Sequence, residues 1–129
     1  MVTVVRAHRR ITGDEDGFTL IELLVVLVIL GILIAIAIPS YLSFKDRANQ
    51  KAAQADVRAA LPAAESYYSD NGNYTGMTIG ALKAIDAGIS NVVMVGNVTA
   101  SSYCLKATVG NKDAGLQGPG GIVSTVACT

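Results

Sequence analysis

The feature that most constrains this chain is an apolar run from Phe18 to Ile38 that contains one charged residue, Glu22. As a helix, a run of this length covers about 30 Å, the thickness of the hydrocarbon core of a bilayer. An ionised and unpaired carboxylate inside that core costs about 3 kcal/mol. The sequence therefore predicts a membrane-spanning helix in which Glu22 has a functional role. The alternative is an ordinary signal-anchor with a stray glutamate near the interface.

The residues around Glu22 follow a long and specific pattern. The pattern consists of two stretches, Gly17-Phe18-Thr19-Leu20-Ile21-Glu22-Leu23-Leu24 and Ile38-Pro39-Ser40-Tyr41. Together they resemble the N-terminal signature of type IV prepilins. That signature sets a cleavage site, an acid and a proline at fixed spacings. The resemblance implies cleavage after Gly17, methylation of the new amine of Phe18, and assembly of identical subunits into a helical filament. It also implies that Glu22 acts in assembly and processing.

Three regions follow from this pattern: a leader peptide at 1–17, a transmembrane and assembly helix at 18–40, and a globular head at 41–129. The leader carries Arg6, Arg9 and Arg10, which keep this end cytoplasmic and place the head outside. Residues 14–16 are acidic, where such leaders often carry Lys or Arg. Acidic leaders occur in some pilins of Gram-positive bacteria, actinobacteria among them, and we expect that lineage.

The end of the apolar run is predicted to be a flexible section of the helix. Pro39 removes one backbone hydrogen bond, and Gly31 is the other weak point in the run. The resemblance implies that the helix between Gly31 and Pro39 unwinds on assembly. A gently kinked helix is the alternative.

Residues 41–68 are predicted to continue the helix, because they are rich in good helix formers. Two rows of small or apolar residues recur at spacings of three or four. The first row favours close helix contact between subunits, or it reflects helix propensity alone; it comprises Phe44, Ala48, Ala52, Ala55 and Ala59. The second row is expected to dock on the sheet of the head; it comprises Val57, Leu61, Ala64 and Tyr68. Within this helix, Pro62 predicts a kink or a break near Ala60.

The remainder of the chain predicts an α+β fold, with the long N-terminal helix packed on a small antiparallel sheet of about three strands. The turn formers at 69–73 end the long helix, and a short helix is expected at 78–88 with Thr78 as its N-cap. Valine- and threonine-rich runs predict strands at Asn91–Val95, Ser101–Val109 and Gly121–Cys128. The glycine-rich stretch 110–120 is predicted to be a loop. Tyrosines are expected to be the largest side chains of the core.

Cys104 and Cys128 are the two cysteines of the chain, and each lies on one of the last two predicted strands. A hairpin centred near Leu116 would place them opposite each other, so we predict a disulfide bond between them. Such a bond needs an oxidising compartment, which agrees with a head outside the cytoplasm. A zinc site is a poor alternative because the single histidine, His8, lies in the leader.

The charge balance and the motifs limit the possible classes of function further. Ten basic and ten acidic residues cancel, without a basic patch that would indicate nucleic acid. We predict no catalytic residue, cofactor or metal. The expected function is a structural subunit of a type IV pilus; the alternatives are a pseudopilin of a type II secretion or DNA-uptake system, and a membrane-tethered binding domain.

The resemblance also implies partners and a location. Expected partners are identical subunits, a prepilin peptidase, the inner-membrane pilus assembly platform, and membrane lipid before assembly. The precursor would cross the cytoplasmic membrane once, and the mature subunit would lie in an extracellular pilus.

Overall fold

The computed structural model describes residues 17–128. Two helices, α1 and α2, are followed by three strands, β1 to β3, and their bounds are α1 Leu20–Asn71, α2 Ile79–Ile85, β1 Val93–Gly96, β2 Tyr103–Val109 and β3 Lys112–Gly118. The predicted α+β class is confirmed. Apart from Gly17, the predicted leader lies outside the described residues. The chain divides into two compact units within α1, after Ala37.

The first unit holds the apolar part of α1. Its large hydrophobic side chains, from Leu20 to Ile36, are between 46% and 81% exposed. Near its N-terminus α1 is long and apolar enough to cross a membrane, and this apolar stretch is not buried. An apolar helix surface of this size requires a bilayer or other apolar helices around it.

The helix α1 continues through both of its prolines. Pro39 and Pro62 lie inside the helix, so a helix break near Ala60 is wrong, while the kink predicted there as the other possibility stays a prediction. Ala60 is fully buried against the sheet, as are Val57 and Ala64 on the same helix face. Packing of that face holds the backbone helical and offsets the hydrogen bond that Pro62 cannot donate. Unwinding between Gly31 and Pro39 stays a prediction.

The second unit is the head, where α1 packs on an antiparallel sheet with the order β1-β2-β3. The docking row predicted on α1 is confirmed for Val57 and Ala64, which are buried, and for Leu61, which packs against the core. It is wrong for Tyr68, which remains 43% exposed. The first row, from Phe44 to Ala59, is exposed along its whole length.

The short helix and its caps agree with the sequence. Thr78 is the N-cap of α2, and its Oγ1 accepts a hydrogen bond from Ala81 N at 3.2 Å. At the end of α1, Gly72 adopts a positive φ of 73° and its amide donates to the carbonyl of Tyr68 at 2.7 Å. This left-handed glycine is the expected end of the long helix.

The third strand is not where the sequence placed it. The predicted loop 110–120 contains β3, which pairs with β2 so that Leu116 lies opposite Leu105 and Val109 lies opposite Lys112. Only Gly110 and Asn111 form the turn, and Gly110 has a φ of 61°. A two-residue hairpin turn of this kind needs a positive φ at its first position, which glycine supplies. The predicted hairpin centred near Leu116 is therefore wrong.

Residues 119–128 form a C-terminal strap instead of the strand predicted at Gly121–Cys128. The strap makes one isolated bridge to the sheet, between Ser124 and Gly115. It then crosses so close to Gly115 that a Cβ atom there would overlap the backbone of residues 126–128. Gly118 has a related role, because a Cβ there would overlap the ring of Tyr103. The glycines of β3 thus provide close approach within a strand rather than a loop.

Tyrosines form the largest buried side chains of the head, as predicted. The ring centroids of Tyr74 and Tyr103 are 4.6 Å apart, and those of Tyr68 and Tyr74 are 4.8 Å apart. The carboxylate of Glu65 on α1 accepts hydrogen bonds from the hydroxyl of Tyr103 at 2.9 Å and from that of Tyr74 at 3.2 Å. The cluster therefore connects the end of α1 to β2 and to the loop that follows α1.

This cluster predicts that the head loses stability in alkaline solution. Burial, and then the hydrogen bond to Glu65, raise the pKa of Tyr103 and of Tyr74 above the ordinary value of 10.0. A tyrosine whose pKa is raised by folding stabilises the head fully below the unfolded pKa, and that contribution is lost as the pH rises above it. The melting temperature of the full chain in detergent should therefore fall more steeply with pH, above about pH 10, for the native chain than for Tyr103→Phe. Identical pH profiles would contradict this assignment.

Candidate functional site

The candidate site is the start of α1, from Gly17 to Glu22. Phe18 is 83% exposed, and the helix begins at Leu20. The amide of Leu23 donates to the carbonyl of Thr19 at 3.3 Å, so Thr19 occupies the N-cap position. The predicted cleavage point between Gly17 and Phe18 therefore lies just outside the helix. Exposure of this peptide bond therefore needs no unwinding of α1.

Thr19 and Glu22 form a reciprocal capping box. The amide of Glu22 donates to Oγ1 of Thr19 at 3.2 Å, while Oε2 of Glu22 accepts from the amide and hydroxyl of Thr19 at 2.9 Å and 2.8 Å. This pattern satisfies two of the free amides that every helix start exposes. The acid of the apolar run is thus held at the helix N-terminus, where the helix dipole favours a negative charge.

The capping box uses one oxygen of the carboxylate. Both contacts from Thr19 reach Oε2, and within residues 17–128 Oε1 of Glu22 accepts no hydrogen bond. Glu22 therefore retains an acceptor for a further cation or donor. The sequence singled out Glu22 but missed its contact with Thr19. The signal was present, because a threonine three residues before a glutamate at the start of an apolar run is the usual form of a capping box.

The disulfide is the second feature that the sequence predicted, and it is confirmed between Cys104 and Cys128, whose Cα atoms are 5.8 Å apart. The path of the chain that brings the two cysteines together differs from the prediction, because the strand partner of Cys104 is Gln117. Cys128 reaches Cys104 because the strap crosses the sheet: its Sγ lies 3.4 Å from the carbonyl oxygen of Leu116 and 3.5 Å from that of Leu105. The bond fixes the strap to the central strand.

The other residues predicted to have a role, Gly31 and Pro39, make no special contact. Gly31 and Pro39 lie within α1, and nothing crowds Gly31, where an added Cβ would meet open space. Groups of three or more side chains suited to hold a metal are absent from the described part of the chain. What the start of α1 can do chemically is to present a peptide bond for cleavage and a carboxylate for ion pairing.

Comparison with known proteins identifies this start of α1. Residues 14–38 match the family model of the prokaryotic N-terminal methylation motif. The chain is 38% identical over 97 residues to the type IV wide pilus major component PilA4 of Thermus thermophilus, a match that covers 71% of this chain and 72% of that protein. The chain therefore belongs to the type IV pilin family.

Two other relatives match shorter parts of the chain. The type IV major pilin protein PilA of Myxococcus xanthus is 44% identical over 66 residues, which cover 51% of this chain and 30% of that pilin. The type II secretion system core protein G of Pseudomonas aeruginosa is 45% identical over 61 residues, which cover 47% of this chain and 43% of that protein. The chain thus spans less than half of the length of these two relatives.

Proposed function

We propose that this chain is the structural subunit of a type IV pilus and that its work is polymerisation. The observation that carries the proposal is the start of α1, where the Gly17–Phe18 bond lies outside the helix and Glu22, with one carboxylate oxygen free, lies at the start of an exposed apolar helix. A helix of this kind is suited to a bilayer before assembly and to contact with identical helices afterwards. Its relatives are named as pilus and secretion-system components, and no catalytic role is proposed for this chain.

The proposed pathway begins with a precursor that crosses the cytoplasmic membrane once. The leader, 1–17, stays in the cytoplasm, the helix at 18–40 spans the membrane, and the head at 41–129 is outside. A prepilin peptidase removes the leader after Gly17 and the amine of Phe18 is methylated. The inner-membrane assembly platform then moves the subunit from lipid into an extracellular filament.

Cleavage creates a positive charge that can pair with the carboxylate of Glu22. The new amine of Phe18 is cationic, and in the proposed filament it meets Oε1 of Glu22 in an adjacent subunit while Thr19 continues to hold Oε2. An opposite charge at the same depth offsets the cost of a carboxylate in an apolar environment. It also fixes the axial position of one helix against the next, as a buried polar group sets register in a coiled coil. A pair within one subunit is the alternative, because Phe18 and Glu22 are about one turn apart.

A pseudopilin is the second candidate function, and the match to type II secretion core protein G favours it. The length of the match distinguishes the two candidates. The match to the Thermus pilus component covers 71% of this chain, whereas the match to core protein G covers 47%. The longer match to the pilus component supports the pilus. The disulfide-fixed strap supports it as well.

Imaging of cells with and without the gene tests the proposed function. Electron microscopy with an antibody to the head should show long surface filaments that carry the label, and deletion of the gene should remove them. Complementation in trans serves as the control. Labelled protein confined to the cell envelope, together with lost secretion of an exported enzyme, would favour the pseudopilin and contradict the pilus.

A further inference from the structure

Three cationic side chains lie around α1 at one height, just beyond the apolar run. Lys45 and Arg47 are two residues apart, so they are about 160° apart around the helix and about 3 Å apart along it. Asp46 lies between them, about 100° from each, and its carboxylate pairs with Lys112 at 3.2 Å. Lys112 therefore occupies a third side of α1 at the same height. We call these three cations the basic arc.

The turn between β2 and β3 holds the third cation in this place. Nε2 of Gln50 on α1 donates to the carbonyl oxygen of Asp113 at 2.7 Å. The side chain of Asn49 lies against Gly110, where an added Cβ would come within 2.5 Å of it. The carboxylate of Asp113 is engaged inside the hairpin, because it accepts a hydrogen bond from the hydroxyl of Thr108 at 2.7 Å. The basic arc is thus assembled by the fold from residues that are far apart in the chain.

The charged ends of the basic arc lie at the height of a lipid headgroup layer. Lys45 follows Ile38, the last residue of the apolar run, by seven residues, about 10 Å along the helix. Side chains of a helix lean towards its N-terminus, which for α1 is the direction of the membrane. Arg47 shows this lean, because its Nη2 donates to Oγ of Ser43 at 3.0 Å, one turn closer to the apolar run and about 8 Å past Ile38. The headgroup region extends about 5–8 Å beyond the hydrocarbon core, so these side chains reach it.

Aromatic side chains occupy the remaining side of α1 at this level. Tyr41 and Phe44 are 65% and 71% exposed. They lie about 60° apart, on the part of the helix surface between Arg47 and Lys45 that is turned away from Asp46. Aromatic rings, tyrosine above all, are enriched where a membrane meets water. Exposed aromatics next to cations are typical of a surface that lies among lipid headgroups.

We infer that the basic arc binds the phosphate groups of acidic phospholipids at the outer surface of the cytoplasmic membrane. The pair between Lys112 and Asp46 is the one ion pair within residues 17–128, so Lys45 and Arg47 have no carboxylate partner there. The guanidinium of Arg47 bonds to Ser43 through one nitrogen and keeps other N–H groups, whose planar arrangement suits the oxygens of a phosphate. The inference rests on the proposed function, because it concerns the subunit in the membrane before assembly.

The unpaired charges determine which class of lipid is selected. One lysine or arginine near an acidic lipid surface strengthens attachment by about fivefold, which corresponds to about 1 kcal/mol. A headgroup without net charge, such as that of phosphatidylcholine, gives a cation no comparable attraction. The basic arc is therefore expected to select phosphatidylglycerol over phosphatidylcholine.

Spin-labelled lipids test the basic arc in the full chain, reconstituted in phosphatidylcholine vesicles. Electron paramagnetic resonance measures how strongly the protein immobilises spin-labelled phosphatidylglycerol and spin-labelled phosphatidylcholine, and the ratio of the two association constants is the selectivity for acidic lipid. The double variant Lys45→Gln with Arg47→Gln should lower this selectivity by about fivefold or more. Lys112→Gln should lower it by less, because Asp46 already neutralises part of that charge, and Asp46→Asn should raise it.

Matched variants separate the position of the charges from their number. Lys51→Gln with Arg58→Gln removes the same charge from the same helix, but 13 and 20 residues past Ile38, and should lower the selectivity by less than twofold. Lys45→Arg with Arg47→Lys keeps both charges and should keep the selectivity. The leader and its arginines are the same in every variant, so they contribute equally to each measurement.

The outcomes separate this inference from the proposed function. Native selectivity in the variant that lacks the charges of Lys45 and Arg47 would overturn the inference. An equal loss in the variant that lacks those of Lys51 and Arg58 would also overturn it, because the effect would then not depend on position. Both results would leave the pilus intact, since the vesicles contain unassembled chains. Absence of filaments from cells would overturn the proposed function instead and would leave the measured lipid selectivity unchanged.

Discussion

Replacement of Glu22 by valine is expected to abolish surface filaments while membrane insertion and leader cleavage persist. Valine continues the apolar run, so the helix still inserts, and the peptide bond between Gly17 and Phe18 remains outside α1. What is lost is the carboxylate that the amine of a neighbouring subunit would meet. Electron microscopy of the cells and an immunoblot of the membrane fraction measure the two results separately.

Two further variants separate the charge of Glu22 from its role in the capping box. Glu22→Gln keeps a side chain that can cap the helix but removes the charge, and it should also lack filaments. Thr19→Val removes the hydroxyl at 3.2 Å from the amide of Glu22 and keeps the charge, so it should assemble with a loss of about 1 kcal/mol in helix stability. Abundant filaments from Glu22→Gln, or from Glu22→Val, would contradict the charge mechanism.

Loss of the disulfide is expected to release the C-terminal strap. The bond joins residues 24 apart in sequence, and closure of such a loop stabilises a folded chain by about 3 kcal/mol in the chain-entropy model. Outside the bond, the strap is held by the bridge at Ser124 and by Val123, which packs against the core, while its Ile122 and Val126 are 87% and 69% exposed. In Cys128→Ser the strap should therefore open about a hundredfold more often, and pilus yield should fall.

Thermolysin, which cuts before large apolar residues, measures the release. It should trim Cys128→Ser near Ile122 much faster than the native chain, with the fragments identified by mass spectrometry. Treatment of the native chain with a reductant should reproduce that rate, and the reductant should have no effect on the variant. A native chain in which both cysteines react with a maleimide before reduction would contradict the bond itself.

The sequence predicted features that depend on local spacing. The extent of the apolar helix, the cap at Thr78 and the glycine that ends α1 at position 72 all follow from residues that are close in sequence. The acid at Glu22 was recognised for the same reason. Its partner Thr19 was within reach of the same rule, and the spacing of three between them was the signal.

The features that could not be predicted from the sequence depend on contacts between residues that are far apart in the chain. Gly115 and Gly118 resemble loop residues until the strap and the ring of Tyr103 are placed against them. The valines of the strap resemble a strand, but the edge of β3 accepts only Ser124 because the chain then turns to reach Cys104. Pro62 predicts a helix break from local rules, and the buried face of α1 prevents it. The bond from Tyr103 to Glu65 spans 38 residues and leaves no local pattern.

Subunit exchange between lipid and filament requires that the two environments compete for the same exposed apolar surface. The side chains of the first part of α1, such as Leu27 at 70% and Leu20 at 81% exposure, give lipid and neighbouring helices nearly equal apolar contact. In the proposed filament, directional assembly therefore depends on the polar contact at Glu22. That contact fixes the axial position of one helix against the next, which a uniformly apolar surface cannot do by itself.

The intact mass of the subunit in purified filaments tests the central claim most directly. Filaments sheared from cells and dissociated in detergent should contain this chain beginning at Phe18, with one added methyl group on the amine and with the mass of two hydrogens missing for the bond between Cys104 and Cys128. Filaments that contain a chain beginning at Met1, or at any residue other than Phe18, would contradict the account.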